Sequence, residues 1–240
     1  MIKYKAYIKA LFFILIILGL VGFANYRNAH KKVNALNIEF KESENLYIST
    51  EKVHKIIADN VGNILNKQQN NIPLRTIEEK IEENKMIENA EVFLTLDGTL
   101  NTTIEQRKPI ARVLVNNNSY YIDDKGKKMP LSKLYSARVP IVKGVMSADD
   151  LKQVYEFVTK VLQDDFMKKQ VVGIQINSDK EFVLKTRLGN QILAFGNLKN
   201  YDIKINKLKA FYQKALKDKS LKKYSKINLK FSKQVVCTKI

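Results

Sequence analysis

Cysteine occurs once in these 240 residues, as Cys237, so no disulfide can close within the chain and no cysteine cluster can hold a metal. One thiol leaves the redox compartment open. Histidine is nearly as scarce: His30 and His54 stand apart, neither in metal-ligand spacing nor beside a nucleophile, which argues against zinc and against histidine acid–base catalysis. Gly189 and Gly196 in "LGNQILAFGN" are not followed by a GK[ST] triplet and make no phosphate loop. The acids of "EEKIEEN" read as a solubilising helix face. No catalytic, metal-binding or cofactor-binding residue is therefore expected, and the chain reads as non-enzymatic.

Negative charge is also short. Asp and Glu number 24 against 42 Lys and Arg, a formal charge of +18. The excess is compatible with nucleic acid, anionic lipid or an acidic polymer, although Lys-rich faces are most often simply solvated. Residues 203–240 concentrate it, with 12 Lys and the single acid Asp218. Apolar residues make up 45% of the chain, enough for one sizeable core or two small ones.

One long apolar run stands at the start, in "AYIKALFFILIILGLVGFANYRNAHKK". Residues 10–24 are uninterrupted, and counting from Ala6 adds only Lys9, for about 28 Å of helix at 1.5 Å per residue. The expectation is a transmembrane helix over 10–24 behind a cytoplasmic tail of residues 1–9. A cleaved signal peptide is the competing reading, with Gly22 and Ala24 as the small residues before a cut. Lys3, Lys5 and Lys9 before the run nearly balance Arg27, Lys31 and Lys32 after it, so charge does not orient the span. A short tail stays inside most easily, which puts everything from about residue 25 outside the cytoplasm, away from nucleic acid.

After a linker at 25–33, residues 34–106 read as one unit. "VNALNIEF" is extended. A helix follows near residue 50, capped by Ser49 or Thr50, with Val53, Ile56, Ile57, Val61 and Ile64 on one face. Pro73 opens a second helix with Leu74, Ile77 and Ile81 inward. Val92, Leu94 and Leu96 alternate, Asp97-Gly98 turns, and Leu100, Thr102 and Ile104 alternate again, which is a strong hairpin signal. The order strand, helix, helix, strand, strand resembles a POTRA domain, a small polypeptide-binding module of exported proteins.

Residues 107–240 read as a second, α+β unit: a mainly antiparallel sheet with helices on one side. Pro109 marks a junction, Ala111, Val113 and Val115 form a strand, and "YYID" returns after "NNNS". Ser147 caps a helix whose face is Leu151, Val154, Tyr155, Val158, Val161 and Leu162. Val172, Ile174, Ile176, Phe182, Leu184 and Leu188 are the expected core of three further strands. A last helix near 202–218 turns Ile205, Leu208, Phe211, Tyr212 and Leu216 inward, and "KINLKFSKQVVCTK" closes the chain as one or two strands.

Taken together, "IEEKIEENKMIENAEVFLTLDGTLNTTIEQRKPIARV", "YYIDDKGKKMPLS" and the terminal "YSKINLKFSKQVV" are similar in order and spacing to the FtsQ/DivIB cell-division family over roughly 200 residues. The resemblance implies a single-pass scaffold at the division septum of the cell inner membrane, its bulk outside the cytoplasm. It implies partners as well: small coiled-coil division proteins of the FtsB/DivIC and FtsL type, held near septal wall-synthesis enzymes. The family receives its partner on the last strands, which maps here to Phe231, Ser232, Lys233, Gln234, Val235 and Val236. An open sheet edge suits that role physically, since its unpaired N–H and C=O groups accept a partner strand. The plain alternative, that Ile227, Leu229 and Phe231 are core, coexists with it if one face packs while the backbone edge binds. A POTRA-bearing envelope protein that docks or chaperones another exported polypeptide is the rival reading.

Overall fold

A computed structural model gives the fold over residues 2–29, 31–41, 47–116, 118–189, 191–231 and 233–240, with side chains of the first helix described at 9, 11–23, 26 and 27. The chain divides into two units, Met1–Gln106 and Arg107–Ile240.

The N-terminal run is helical, as α1 (Ile2–Ala29), but the expected transmembrane helix is corrected. Among the described residues no helix is long and apolar enough to cross a membrane. The described side chains give an unbroken apolar stretch at 11–23 only. That is about 20 Å of rise, short of the roughly 30 Å of a hydrocarbon core. The remainder of the 10–24 span lies outside the described side chains.

The rest of the first unit runs β1 (Ala35–Phe40), α2 (Thr50–Val61), α3 (Leu74–Glu82), β2 (Ile87–Leu94) and β3 (Thr99–Gln106). Its sheet has the order β1-β3-β2, with β1 parallel and β2 antiparallel to β3. Ser49 is the residue that caps α2, its Oγ accepting from the Lys52 N–H at 3.3 Å. Val53, Ile57, Ile77 and Ile81, one turn apart on each helix, are buried against Val92, Leu100 and Ile104, and Val33 is fully buried with them. The Asp97-Gly98 turn closes the hairpin. Gly98 has φ +94°, and a Cβ there would stand 2.7 Å from the Lys32 carbonyl, so the turn needs both the left-handed backbone and the missing side chain.

The second unit is built on a nine-stranded mixed sheet. Its strands are β4 (Pro109–Val115), β5 (Asn118–Asp123), β6 (Lys128–Met129), β7 (Ile141–Lys143), β8 (Val171–Ile176), β9 (Phe182–Thr186), β10 (Ile192–Gly196), β11 (Tyr224–Asn228) and β12 (Val236–Lys239). They lie in the order β12-β11-β10-β9-β8-β7-β4-β5-β6. Three of the eight junctions are parallel: β4 with β7, β7 with β8, and β10 with β11. Parallel neighbours need a crossover; between β4 and β7 it runs through β5 and β6, and helices supply the other two. These are α4 (Ala148–Gln163) and α5 (Asp165–Gln170) between β7 and β8, and α6 (Tyr201–Lys217) between β10 and β11.

Local sequence explains the helices. Ser147 and Asp150 form a reciprocal capping box at the start of α4, and Val154, Phe157, Val158 and Val161 follow at helical spacing, all fully buried. Phe157 stacks on Phe182 with 4.3 Å between centroids and meets Phe195 edge-on at 5.1 Å, which pins α4 to β9 and β10.

Three expected core residues are elsewhere. Leu188 is 41% exposed, because β9 ends at Thr186 and Leu188 sits in the following turn. Leu216 is 51% exposed, while its neighbour Ala215 takes the inward position on α6. Val172 turns towards the helix-free face, where a register shift between Val171 and Gly173 breaks the alternation and leaves Val171 in the core.

Candidate functional site

The described sheet has two terminal strands, β6 and β12. β12 pairs antiparallel with β11 alone, Asn228 facing Val236, Ile227 facing Cys237, Lys226 facing Thr238 and Tyr224 facing Lys239. The Ile240 N–H donates to the Lys223 carbonyl at 3.0 Å. Because N–H direction alternates along a strand, those of Lys239 and Cys237 then point away from β11, towards where a tenth strand would lie.

Burial divides the same residues by face. Ile227 and Leu229 are fully buried, and Cys237 and Val235 pack partly against the core. Val236 is 38% exposed, and Thr238 and Lys239 are exposed. Burial pushes the Cys237 thiol above its ordinary pKa, so it is protonated at neutral pH.

Of the six residues expected to form the binding edge, only Val236 lies in the strand. Phe231, Lys233, Gln234 and Val235 belong to the connection from β11, and Ser232 lies outside the described residues. Phe231 is 49% exposed and so is not core. Cys237, Thr238 and Lys239, expected within the closing strands of "KINLKFSKQVVCTK" but not among those six residues, make up the rest of β12.

Charged side chains hold the approach to this edge. The Lys207 ammonium donates to the Phe231 carbonyl at 2.6 Å. Lys230 pairs with Glu181 of the turn between β8 and β9 and holds that carboxyl below the usual range. Lys204 donates to the Asn197 carbonyl at 2.7 Å with its ammonium over the Phe195 ring. Burial, then the nearby Lys207, lowers its pKa. Below them the buried Gln191 donates to the Leu221 carbonyl at 2.9 Å and accepts from the Tyr212 hydroxyl at 3.1 Å, tying α6 to the turn that launches β11.

The first unit has its own strand edges. On β2 the outward N–H groups of Ala90 and Val92 are taken by Glu82 and Glu78 of α3. Among the described residues β1 has a strand neighbour on one side only, and beside its start a concavity of about 300 Å³ is lined by Leu36, His54, Ile57, Ala58 and Leu65. His54 is exposed there, and His30 lies outside the described residues. Among the described residues no group of three His, Cys, Asp or Glu side chains is placed to hold a metal ion.

This is a two-unit α+β architecture: a small β-α-α-β-β unit, then a mixed sheet whose last strand is unpaired on its outer side. Residues 31–105 match the POTRA-like domain, and residues 108–238 match the family described as FtsQ/DivIB, C-terminal related. The chain belongs to the FtsQ/DivIB family of cell-division proteins. No curated protein matches it in sequence. Among solved structures, the major extracytoplasmic domain of the trans isomer of the bacterial cell division protein DivIB from Geobacillus stearothermophilus overlaps 34% of this chain and 71% of its own. The identity is 13% and the TM-score 0.26, an overlap too partial to bear on fold or function.

Proposed function

We propose that this protein is a non-enzymatic scaffold of bacterial cell division, acting at the septum by binding small coiled-coil division proteins of the FtsB/DivIC and FtsL type along β12. It thereby links early and late division proteins and keeps its partners near septal wall-synthesis enzymes. The observation that carries this reading is the outer side of β12, a four-residue strand with outward N–H groups at Cys237 and Lys239, within the half of the chain that places it in the family. A partner strand added there gains main-chain hydrogen bonds, with Val236 and Thr238 available for side-chain selection. Phe231, Lys233 and Gln234 extend the contact along the connection.

The test is photocrosslinking in living cells with a photoreactive residue at Val236 or at Thr238, compared with Lys239→Pro. Proline removes one outward donor from an edge position where it is tolerated. Crosslinks to small coiled-coil division proteins that Lys239→Pro abolishes support the proposal. Crosslinks that survive Lys239→Pro unchanged would remove β12 as the site.

A second reading keeps one observation of its own. In the first unit β2 is stopped by glutamates, while among the described residues β1 is not flanked by a strand on its outer side, so a docking role for an exported polypeptide would use β1. Crosslinks at Asn37, in place of β12, would select it.

A further inference from the structure

The helices lie on one face of the nine-stranded sheet. On the other, the strand registers align Ile141, Gly173, Lys185, Ile192, Lys226 and Thr238 in one row across β7 to β12. The next row along is Lys143, Gln175, Val183, Ala194, Asn228 and Val236. Ile141 and Ile192 stand 43% and 49% exposed. Between them Gly173 leaves a gap in the row, and a concavity of about 620 Å³ opens there, floored by Val172 and Val183. Ile141 on β7 and Ile192 on β10 are three strand spacings apart, about 14 Å. An α-helix with its side chains is about 10–12 Å across.

The charges of this face have one sign. None of the strands β7 to β12 contains an Asp or a Glu. Lys143, Lys185 and Lys226 are all exposed, and none has an acidic partner among the described residues. Large exposed apolar side chains ringed by unpaired ammonium groups are unusual for a face that meets only water. Lysine stems can lie along the trough while their heads remain at its rim.

We propose that this helix-free face is a second docking surface, which takes an amphipathic helix with an apolar stripe and acidic flanks. The apolar stripe sits over Gly173 between Ile141 and Ile192, and the acids meet Lys143, Lys185 and Lys226. Sign complementarity selects such a helix over a basic one, and the apolar floor selects it over an extended acidic chain. The centre of this surface lies apart from the strand edge, since Lys185 on β9 is three strands in from β12; only Lys226, opposite Thr238, borders it.

The test uses the full chain and three labelled 18-residue peptides, followed by fluorescence anisotropy. One is a designed helix with leucines at i, i+3, i+4 and i+7 flanked by glutamates; the second has lysines in place of the glutamates; the third is polyglutamate. Saturable binding of the acidic helix is expected, at least tenfold tighter than either other peptide. It should weaken at least tenfold in Lys185→Glu/Lys226→Glu and in Ile192→Ser, all at exposed positions, with circular dichroism unchanged. Lys239→Pro should leave it intact, so failure at the strand edge and failure here are separable. Equal binding of polyglutamate would reduce the face to a charge sink for acidic polymers and overturn the proposal. Equal binding of the lysine-flanked helix, insensitivity to both sets of substitutions, or loss in Lys239→Pro would each overturn it too.

Discussion

Glu78 on α3 accepts a hydrogen bond from the Val92 backbone N–H on β2 at 2.8 Å, and Glu82, one turn on, accepts from Ala90 at 3.1 Å. Two side chains thus occupy donors that would otherwise recruit a strand. The acids of "EEKIEEN" read in sequence as a solvated face, yet half of the four seal a sheet edge. Glu78→Ala/Glu82→Ala is expected to cost about 1–2 kcal/mol in total, the usual net worth of such bonds, and to expose the edge. Urea unfolding should show the loss, and sedimentation velocity should show concentration-dependent association absent from the parent.

Arg107 and Asp123 form an ion pair at the entry to the second unit, 2.7 Å between Nη1 and Oδ2, with the Asp123 side chain fully buried. The other Asp123 oxygen accepts from the Lys125 and Lys127 N–H groups, so this carboxylate organises the turn between β5 and β6. Arg107→Ala leaves a buried charge short of its partner. A loss of about 3 kcal/mol is expected in chemical denaturation, and Arg107→Lys should recover only part of it.

Asp150 ties the start of α4 to the turn between β8 and β9. The Lys180 ammonium, then the Met146 N–H and the Ser147 groups, hold its carboxyl down to about 2 from an ordinary 3.8. A depressed folded-state pKa contributes stability that is complete above the unfolded value and disappears as pH falls through the folded one. The contribution is therefore present above pH 4 and lost between about 4 and 2. Asp150→Asn should flatten the pH dependence of Tm in that window, and a parent and variant with parallel profiles would refute the assignment.

Gly144 ends β7 with φ +86°, and a Cβ there would run into the Ile176 carbonyl oxygen of β8. Backbone cannot step aside as a flexible side chain could. Gly144→Ala is expected to destabilise by at least about 2 kcal/mol, with a Tm drop in differential scanning calorimetry.

Cys237 offers a chemical probe of the edge. With its thiol pKa raised by burial, alkylation at pH 7.5 should run at least several-fold slower than for free cysteine, since only the thiolate reacts. Unfolding the chain in urea should restore the free-cysteine rate.

Local chemistry was readable along the chain. Ser147 and the Asp97-Gly98 turn act within a few residues of themselves, so this cap and the hairpin could be named from spacing alone, while the cap of α2 was narrowed to Ser49 or Thr50. The α4 face could be named because 3.6-residue periodicity is a property of the helix itself. The terminal strands were visible as elements, but not where the last one begins: β12 is Val236–Lys239, with Phe231 and residues 233–235 in its approach, because the alternation that marks a strand says nothing about where its partner stops.

By itself, then, the sequence determined the types of the longer elements but not β6, β7 or α5, the turns and the α4 cap, the inward stripes of α2, α3 and α4, and the family likeness carried by their order. Only the tertiary structure decided which strands neighbour which, and with that everything about edges and faces. The parallel junctions at β4, β7 and β8 join residues far apart in the chain. The Val172 bulge is set by partner register. Glu78 reaches Val92 only because α3 lies along β2. Lys143, Lys185 and Lys226 on the helix-free face come each from a different strand, and pairing across a sheet is a long-range choice that no local period encodes.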